Sequence, residues 1–501
     1  MNCLKSKGAI IILMWNCLAM SAYHYSIIKK QGNLNAGELT AAGLLLPVGG
    51  WLADAYFGRY KVIYYGMWTM WIGAVLNTSS VLLSKLNVLF ARYGDVWVSW
   101  FSEIVVGAGF GAFQANIIQF GIDQLPDASS MEITSFIMQY TTTLIVSGIS
   151  IYFSTVCTPE YAGALVVTVC LSLALCSSFL LNHCLVKEHP IENPLLQIWN
   201  VIKYSIKNKH LMERFSSFKK QGMLSHLNIA KKVYAGPFTS EQVEDVKTFI
   251  RVMAVIATCS IACSGIQIVH FAQDKILQHL QNLPPDSISG CYEKLSITNV
   301  TYTFTLLMIV AYQTIVHPMF YNYIQKTGIT TKFLVAVLLF LVRILALLGI
   351  ESASYHLNKN ETVAHCVFSQ NITNYPVDID YYWIIAPEVF SGLSSFILIL
   401  AAIEFICAQA PFNMKGLTFG ISYGIYGLAT LLQIVISVPF LFKQPEWEKA
   451  PLTCGIWYFI MQGLIVLIGS SLVVFTIKTY RRRVRSNVAQ SNDWQQISLL
   501  S

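Results

Sequence analysis

Charge is what this sequence has least of. Asp, Glu, Lys and Arg together make up 12% of its 501 residues, while 55% are apolar and the mean hydropathy is +0.54. So little charge cannot clothe a water-soluble globule of this length, which excludes a soluble enzyme. Catalytic signatures are missing as well. The sequence has no P-loop, no zinc-spaced His/Cys set and no nucleophile elbow, and nothing in it asks for a cofactor or a metal. No cleavage site stands apart from the first apolar run, so that run is expected to stay in the mature protein. The net charge of +7 comes from basic residues gathered in one central loop and in the tail. That is an orientation signal for a membrane protein rather than a footprint for nucleic acid.

What is present is a succession of apolar runs. Crossing about 30 Å of hydrocarbon takes about 20 residues of helix. Twelve such runs are read at 8–28, 37–53, 62–84, 97–119, 133–155, 162–183, 249–272, 301–323, 332–350, 382–407, 417–441 and 455–477. An even number puts both termini on one side of the bilayer. Lys5, Lys7, Arg59, Lys61, Lys478, Arg481, Arg482, Arg483 and Arg485 mark that side as the cytoplasm, although Lys29 and Lys30 fall on the other. The longest hydrophilic interval, 184–248, carries Lys203, Lys207, Lys219, Lys220, Lys231 and Lys232 and divides the runs six and six. The expected organisation is a six-helix half at 1–183, a cytoplasmic central loop at 184–248, a second half at 249–478 and a basic tail at 479–501. The fold class is all-α and membrane-embedded, with two halves enclosing a midplane cavity.

Glycosylation sequons agree with this topology. Those at Asn299, Asn360 and Asn371 all fall in loops assigned to the outer or luminal face, whereas Asn77 lies inside the third run. Cys291, Cys366 and Cys454 share the luminal face, an odd number that leaves any disulfide pairing open. The second run is short and the first begins almost at the initiator, which reads as a shortened amino-terminal part.

The run Gly49-Gly50-Trp51-Leu52-Ala53-Asp54-Ala55-Tyr56-Phe57-Gly58-Arg59-Tyr60-Lys61 organises the rest. It could be any polar turn with a few glycines. Its pattern, G-x-L-A-D-x-x-x-G-R-x-K after the second apolar segment, resembles the helix 2–3 loop of the major facilitator superfamily. Further runs narrow the resemblance: Gly107-Ala-Gly109-Phe-Gly111-Ala-Phe-Gln114-Ala-Asn116, then Phe120-Gly121-Ile122-Asp123-Gln124, then Gly236-Pro237-Phe238-Thr239 through Lys247, and finally Glu404-Phe405 through Gln409-Ala-Pro411 to Gly416. Together they resemble the proton-coupled oligopeptide transporter family, and most of all its animal peptide/histidine branch. The resemblance implies a major facilitator fold and gating or structural roles for Gly50, Asp54, Gly58, Arg59, Asp123, Gln124, Glu404 and Pro411. It also implies uptake of small peptides or histidine, with protons as the coupling ion.

At the positions where the family carries its charges, this chain has none. The helix 1 motif of two acids and an arginine falls on Asn16-Cys17-Leu18-Ala19-Met20, followed by Tyr23 and His24. The helix 4 lysine falls on Gln114, and the helix 10 acid that would receive a peptide amino group falls on Ser395, or on Phe396 with a one-residue gap. A buried ionisable group in a membrane is costly and is kept for substrate or proton. Losing all of these together points to altered coupling, or to lost transport. Asn16, Tyr23, His24, Glu103, Gln114, Asn116 and Ser395 are therefore the candidates for the substrate and proton pathway. For Glu103 the competing reading is a residue near a helix end that pairs or snorkels; for His24 it is hydrogen-bonded structure. Glu404 is expected to hold an interhelical ion pair or gate, and Arg343 to face protein or a cavity.

Two functions remain in view. One is a secondary transporter of small peptides or histidine working by alternating access in an endolysosomal or plasma membrane. The other is a transport-inactive or truncated relative serving as a membrane scaffold or receptor.

Overall fold

The computed structural model describes residues 6–29, 36–85, 91–126, 128, 130–157, 160–190, 192–208, 226–265, 307, 309–316, 319, 329–357, 383, 385–441 and 454–480. Twelve α-helices run through them: α1 Lys7–Lys29, α2 Ala36–Leu52, α3 Arg59–Lys85, α4 Ala91–Asp123, α5 Ser130–Cys157, α6 Glu160–Leu180, α7 Pro194–Lys207, α8 Ser240–Cys263, α9 Ile329–Leu357, α10 Ile385–Gln409, α11 Lys415–Leu441 and α12 Cys454–Thr479. Eleven coincide with expected spans. The eighth expected span, 301–323, is described only in part, including a π turn at Tyr312–Val316. Among the described residues, seven helices are long and apolar enough to cross a membrane by length and composition.

The interval 184–248 is not simply a loop. It contains α7, and α8 begins at Ser240, nine residues ahead of the expected start at 249. The start is a capping box. Thr239 accepts the backbone N–H of Gln242 through its hydroxyl, and the Gln242 side chain accepts the Thr239 N–H. The charged first turns of α8 project beyond the apolar segment, which is why hydropathy alone starts the helix late.

α9 shows how the apolar runs sort themselves. Phe333, Ala336, Phe340, Ile344 and Leu347 are buried at helical spacing, while Val335, Leu338, Val342 and Leu345 are exposed. A helix apolar on both faces has one side on protein and the other on hydrocarbon.

In the first half α3 lies along α4, α2 along α4, α6 along α3, and α1 against α5 and α6. In the second half α9 packs on α10 and α12, and α8 on α12 and α11. The halves meet chiefly where α2 crosses α11, with α5 against α10 and α4 against α11 beside it. The α2–α11 crossing depends on Gly50, because a Cβ there would penetrate the backbone of Gly416. Small residues let two helix backbones approach this closely.

Candidate functional site between the halves

Two polar clusters join the halves, one at the helix ends beside the corner after α2 and one nearer the middle. The first starts with the corner after α2. A π turn at Ala53–Phe57 closes on Gly58, whose φ of +81° suits glycine, and the Gly58 N–H bonds Ala53 O at 3.0 Å. The turn aims Asp54 at the other half. Its Oδ2 accepts the backbone N–H of Leu417 at 2.8 Å, in the first turn of α11. A helix N-terminus carries orphan N–H groups and the positive end of the dipole, so a carboxylate there is favoured.

Arg59 lies behind Asp54. Its Nη1 is 2.5 Å from Asp123 Oδ2 and 3.5 Å from Glu188 Oε2, and its Nε is 3.7 Å from Asp54 Oδ1. Gln119 donates to Asp123 Oδ1 at 2.8 Å. Gln124 holds the strand of chain after α6 in a two-way bond with Val186, donating to its carbonyl at 2.9 Å and accepting its N–H at 2.8 Å. Asn116 donates to Gly49 O at 3.1 Å, so it belongs to this cluster. Burial pushes the Asp54 carboxyl up to about 6, with Asp123 adding to the rise and Arg59 and the Gly416 and Leu417 N–H groups opposing it. Glu188 is also raised, first by burial and then by Asp123, against Arg59 and Lys415.

The middle cluster is uncharged. Gln114 on α4 donates to the Tyr140 hydroxyl of α5 at 2.8 Å and to the Tyr423 hydroxyl of α11 at 3.4 Å, and so reaches across to the second half. Asn16 on α1 donates to Thr143 Oγ1 on α5 at 2.7 Å. Both amides are buried, and their carbonyl oxygens, Gln114 Oε1 and Asn16 Oδ1, have no partner among the described residues. These oxygens are buried acceptors without a donor among the described residues.

On the second half, Glu404 of α10 is 2.6 Å from Lys332 of α9, and both are largely buried. Five residues on, α10 ends at Gln409. Pro411 then opens a 3-10 turn at Phe412–Met414 that hands over to α11 at Lys415. One short stretch thus both places Glu404 and presents the α11 N-terminus that Asp54 caps. Ser395 is half-buried, whereas its neighbour Phe396 is buried and set edge-on against Tyr312 with centroids 5.5 Å apart. Arg343 is fully buried.

The structure therefore brings Gly50, Asp54, Gly58, Arg59, Asp123, Gln124 and Asn116 into one site and Gln114 and Asn16 into the middle. Glu103 is buried on α4 but eleven residues before Gln114, about 17 Å along the helix, and stands apart from both. The side chains of Tyr23 and His24 lie outside the described residues, as do Asn299, Asn360, Asn371, Cys291 and Cys366. Sequence reasoning missed Glu188, Thr143, Tyr140, Tyr423, Lys332 and the Leu417 N–H. Only the last had a signal: the proline-marked stop at Pro411 announces a new helix N-terminus a few residues later.

The chain has the major facilitator fold. No protein-family profile matches the sequence. Solved structures do match over nearly its whole length. An auto-inhibited POT family peptide transporter aligns with a TM-score of 0.62 at 13% identity, covering 97% of this chain and 100% of that one. The POT family transporter PepTSo aligns at 0.63 and 11%, covering 95% and 98%. The proton:xylose symporter XylE, a major facilitator superfamily protein bound to a glucose analogue, aligns at 0.54 and 12%, covering 95% and 96%. At such identities it is the fold that is shared. It is the fold of integral membrane proteins, in keeping with the apolar helices.

Proposed function

We propose that the protein is a secondary transporter of small peptides or histidine that works by alternating access and does not use helix 1 for proton coupling. The observation that carries this reading is Gln114. A neutral amide ties α4 and α5 to α11 between the halves and keeps a buried acceptor oxygen free. Such an oxygen suits a substrate N–H or ammonium group, and a buried acceptor without a donor is costly unless something fills it. The peptide-transporter neighbours support the substrate class, and so do the resemblances in the 49–61 and 404–416 runs. Around this site, Asp54 on the α11 N-terminus holds the cytoplasmic ends of the halves together, and a transport cycle has to release it.

Proton symport would need a titrating group in the pathway. Asn16, Ala19, Met20, Gln114 and Ser395 supply none, which leaves Glu103 and His24 to carry any coupling, and we expect uptake to run down the substrate gradient alone. The test is uptake of labelled dipeptide and labelled histidine by proteoliposomes, with and without an inward proton gradient. The endolysosomal and the plasma membrane both accommodate this function.

A second reading, a membrane scaffold or receptor without transport, has one observation in its favour. Phe396 and Tyr312 pack together beside the position where a substrate-binding acid is expected. Absence of uptake by folded protein, with both labelled compounds, would select it.

A further inference from the structure

α7 has an apolar face that none of the described residues covers. Pro194, Gln197, Val201 and Ser205 form its buried ridge, and Val201 packs with Val243, Val246 and Phe249 of α8 and with Met414 and Leu417 at the start of α11. At ~100° per residue, Leu195, Ile206 and Trp199 lie together between about 115° and 155° from that ridge. They are 39%, 70% and 63% exposed. Half-buried Ile198 and Ile202 connect the ridge to this stripe. Beyond it, at about 195° and 235°, come Lys203 and Lys207, both exposed, with Leu196, 56% exposed, between them in the first turn, and the helix contains no acid. The helix thus has three sectors: protein, apolar but uncovered, and cationic.

The place of α7 says what covers the stripe. Its N-cap, Asn193, accepts the indole N–H of Trp51 in the last turn of α2 at 3.2 Å and donates to the Tyr56 hydroxyl in the corner after α2 at 3.1 Å. Gln197 donates to the Gln242 carbonyl in the first turn of α8 at 3.2 Å. α7 therefore starts at the depth where α2 ends, which is the membrane boundary. α6, the span that leads to it, finishes with Phe179 and Leu180 at 79% and 68% exposure, a lipid-facing end. Tryptophan at this depth and lysines reaching past an apolar stripe are the features of a helix lying in the headgroup region.

We propose that α7 is an interfacial helix, which seats Leu195, Trp199 and Ile206 in the cytoplasmic leaflet and sets Lys203 and Lys207 against anionic headgroups. This does not depend on whether the protein transports.

The test places a fluorescent amino acid at Trp199, Ile206 or Asn200 of the full chain, one site at a time, in phosphatidylcholine vesicles with or without phosphatidylserine. All three positions are exposed, so the fold tolerates the probe. Lipid carrying a nitroxide high on its acyl chain should quench positions 199 and 206 at least about threefold more than position 200, and aqueous iodide should show the reverse order. Phosphatidylserine should increase the lipid quenching, and K203Q/K207Q should abolish that increase. Iodide quenching at 199 and 206 equal to that at 200 would overturn the proposal in favour of a water-facing stripe. Protection from both quenchers would overturn it in favour of a protein partner. An increase that survives K203Q/K207Q would overturn the role of the lysines.

Discussion

Asp54, just past the end of the second helix, is hydrogen-bonded to the backbone N–H of Leu417, 363 residues further along the chain. One carboxylate thereby caps a helix of the opposite half. The bond requires α2 and α11 to touch, and Gly50 against Gly416 is where they do.

Gly50→Val should pry this contact open. The added side chain meets backbone, which cannot rotate away, and overpacking of this kind costs about 1–3 kcal/mol. Spin labels at the exposed positions Phe57 and Phe412 should move apart in an electron–electron resonance distance measurement. Gly43→Val is the control, since nothing lies within 4 Å of a Cβ there, and it should leave the distance unchanged.

Much of this was legible in the sequence, for reasons that show why the rest was not. The 49–61 run must supply a tight corner and a boundary charge, and glycine and aspartate announce both. The stop at Gln409-Ala-Pro411 is written in proline. By contrast, α7 was hidden because at 14 residues it is too short to read as a span, and the early start of α8 because its charged first turns project beyond the apolar segment and lower the local hydropathy. The Thr239–Gln242 capping box was there to be read. Glu188, Tyr140 and Tyr423 had no local signal, because what makes them members of a site is contact across tens or hundreds of residues.

Closure at the Asp54 end of the halves should depend on pH through this carboxyl. In the closed structure its carboxyl is pushed up to about 6, and opening to water returns it toward the ordinary value near 4. The closed state therefore binds the proton more tightly. Its advantage from this group is fully present below about pH 4 and is lost as pH rises through about 6. The groups facing Asp54 are Arg59, Asp123 and the Leu417 N–H, with Glu188 and Lys415 beyond. The population with Phe57 and Phe412 close together should grow as pH falls from 7 to 5. Asp54→Asn keeps an acceptor for Leu417 but cannot titrate, and should flatten the profile. A wild-type profile unchanged in that substitution would assign the dependence to another group.

Arg59 holds two buried acids apart. Arg59→Gln leaves Asp54 and Asp123 buried without a cation, a loss of the kind that costs about 3–5 kcal/mol. A sharp fall in the melting temperature of the detergent-solubilised protein is expected, with partial recovery in Arg59→Gln/Asp123→Asn. Glu188, 45% exposed at its side chain, is the contrast. Glu188→Gln should cost less than about 1 kcal/mol.

Gln114→Leu removes the amide that bonds Tyr140 and Tyr423. Substrate uptake should be abolished, while the melting temperature falls by less than in Arg59→Gln, because leucine keeps the volume and only the neutral hydroxyls of Tyr140 and Tyr423 lose this partner. Gln114→Lys with Ser395→Glu restores the charges the family carries at these positions. It should bring gradient sensitivity to uptake; a folded double variant with no uptake at all would count against a transport site here.

The most direct measurement is the time course of uptake of labelled dipeptide and of labelled histidine into proteoliposomes of the unmodified protein, at matched pH and with the interior alkaline. We predict uptake well above protein-free vesicles for at least one of the two, levelling off at the external concentration under both conditions. Accumulation above the external concentration under the proton gradient would contradict the absence of coupling. No uptake by protein shown to be folded would contradict transport itself.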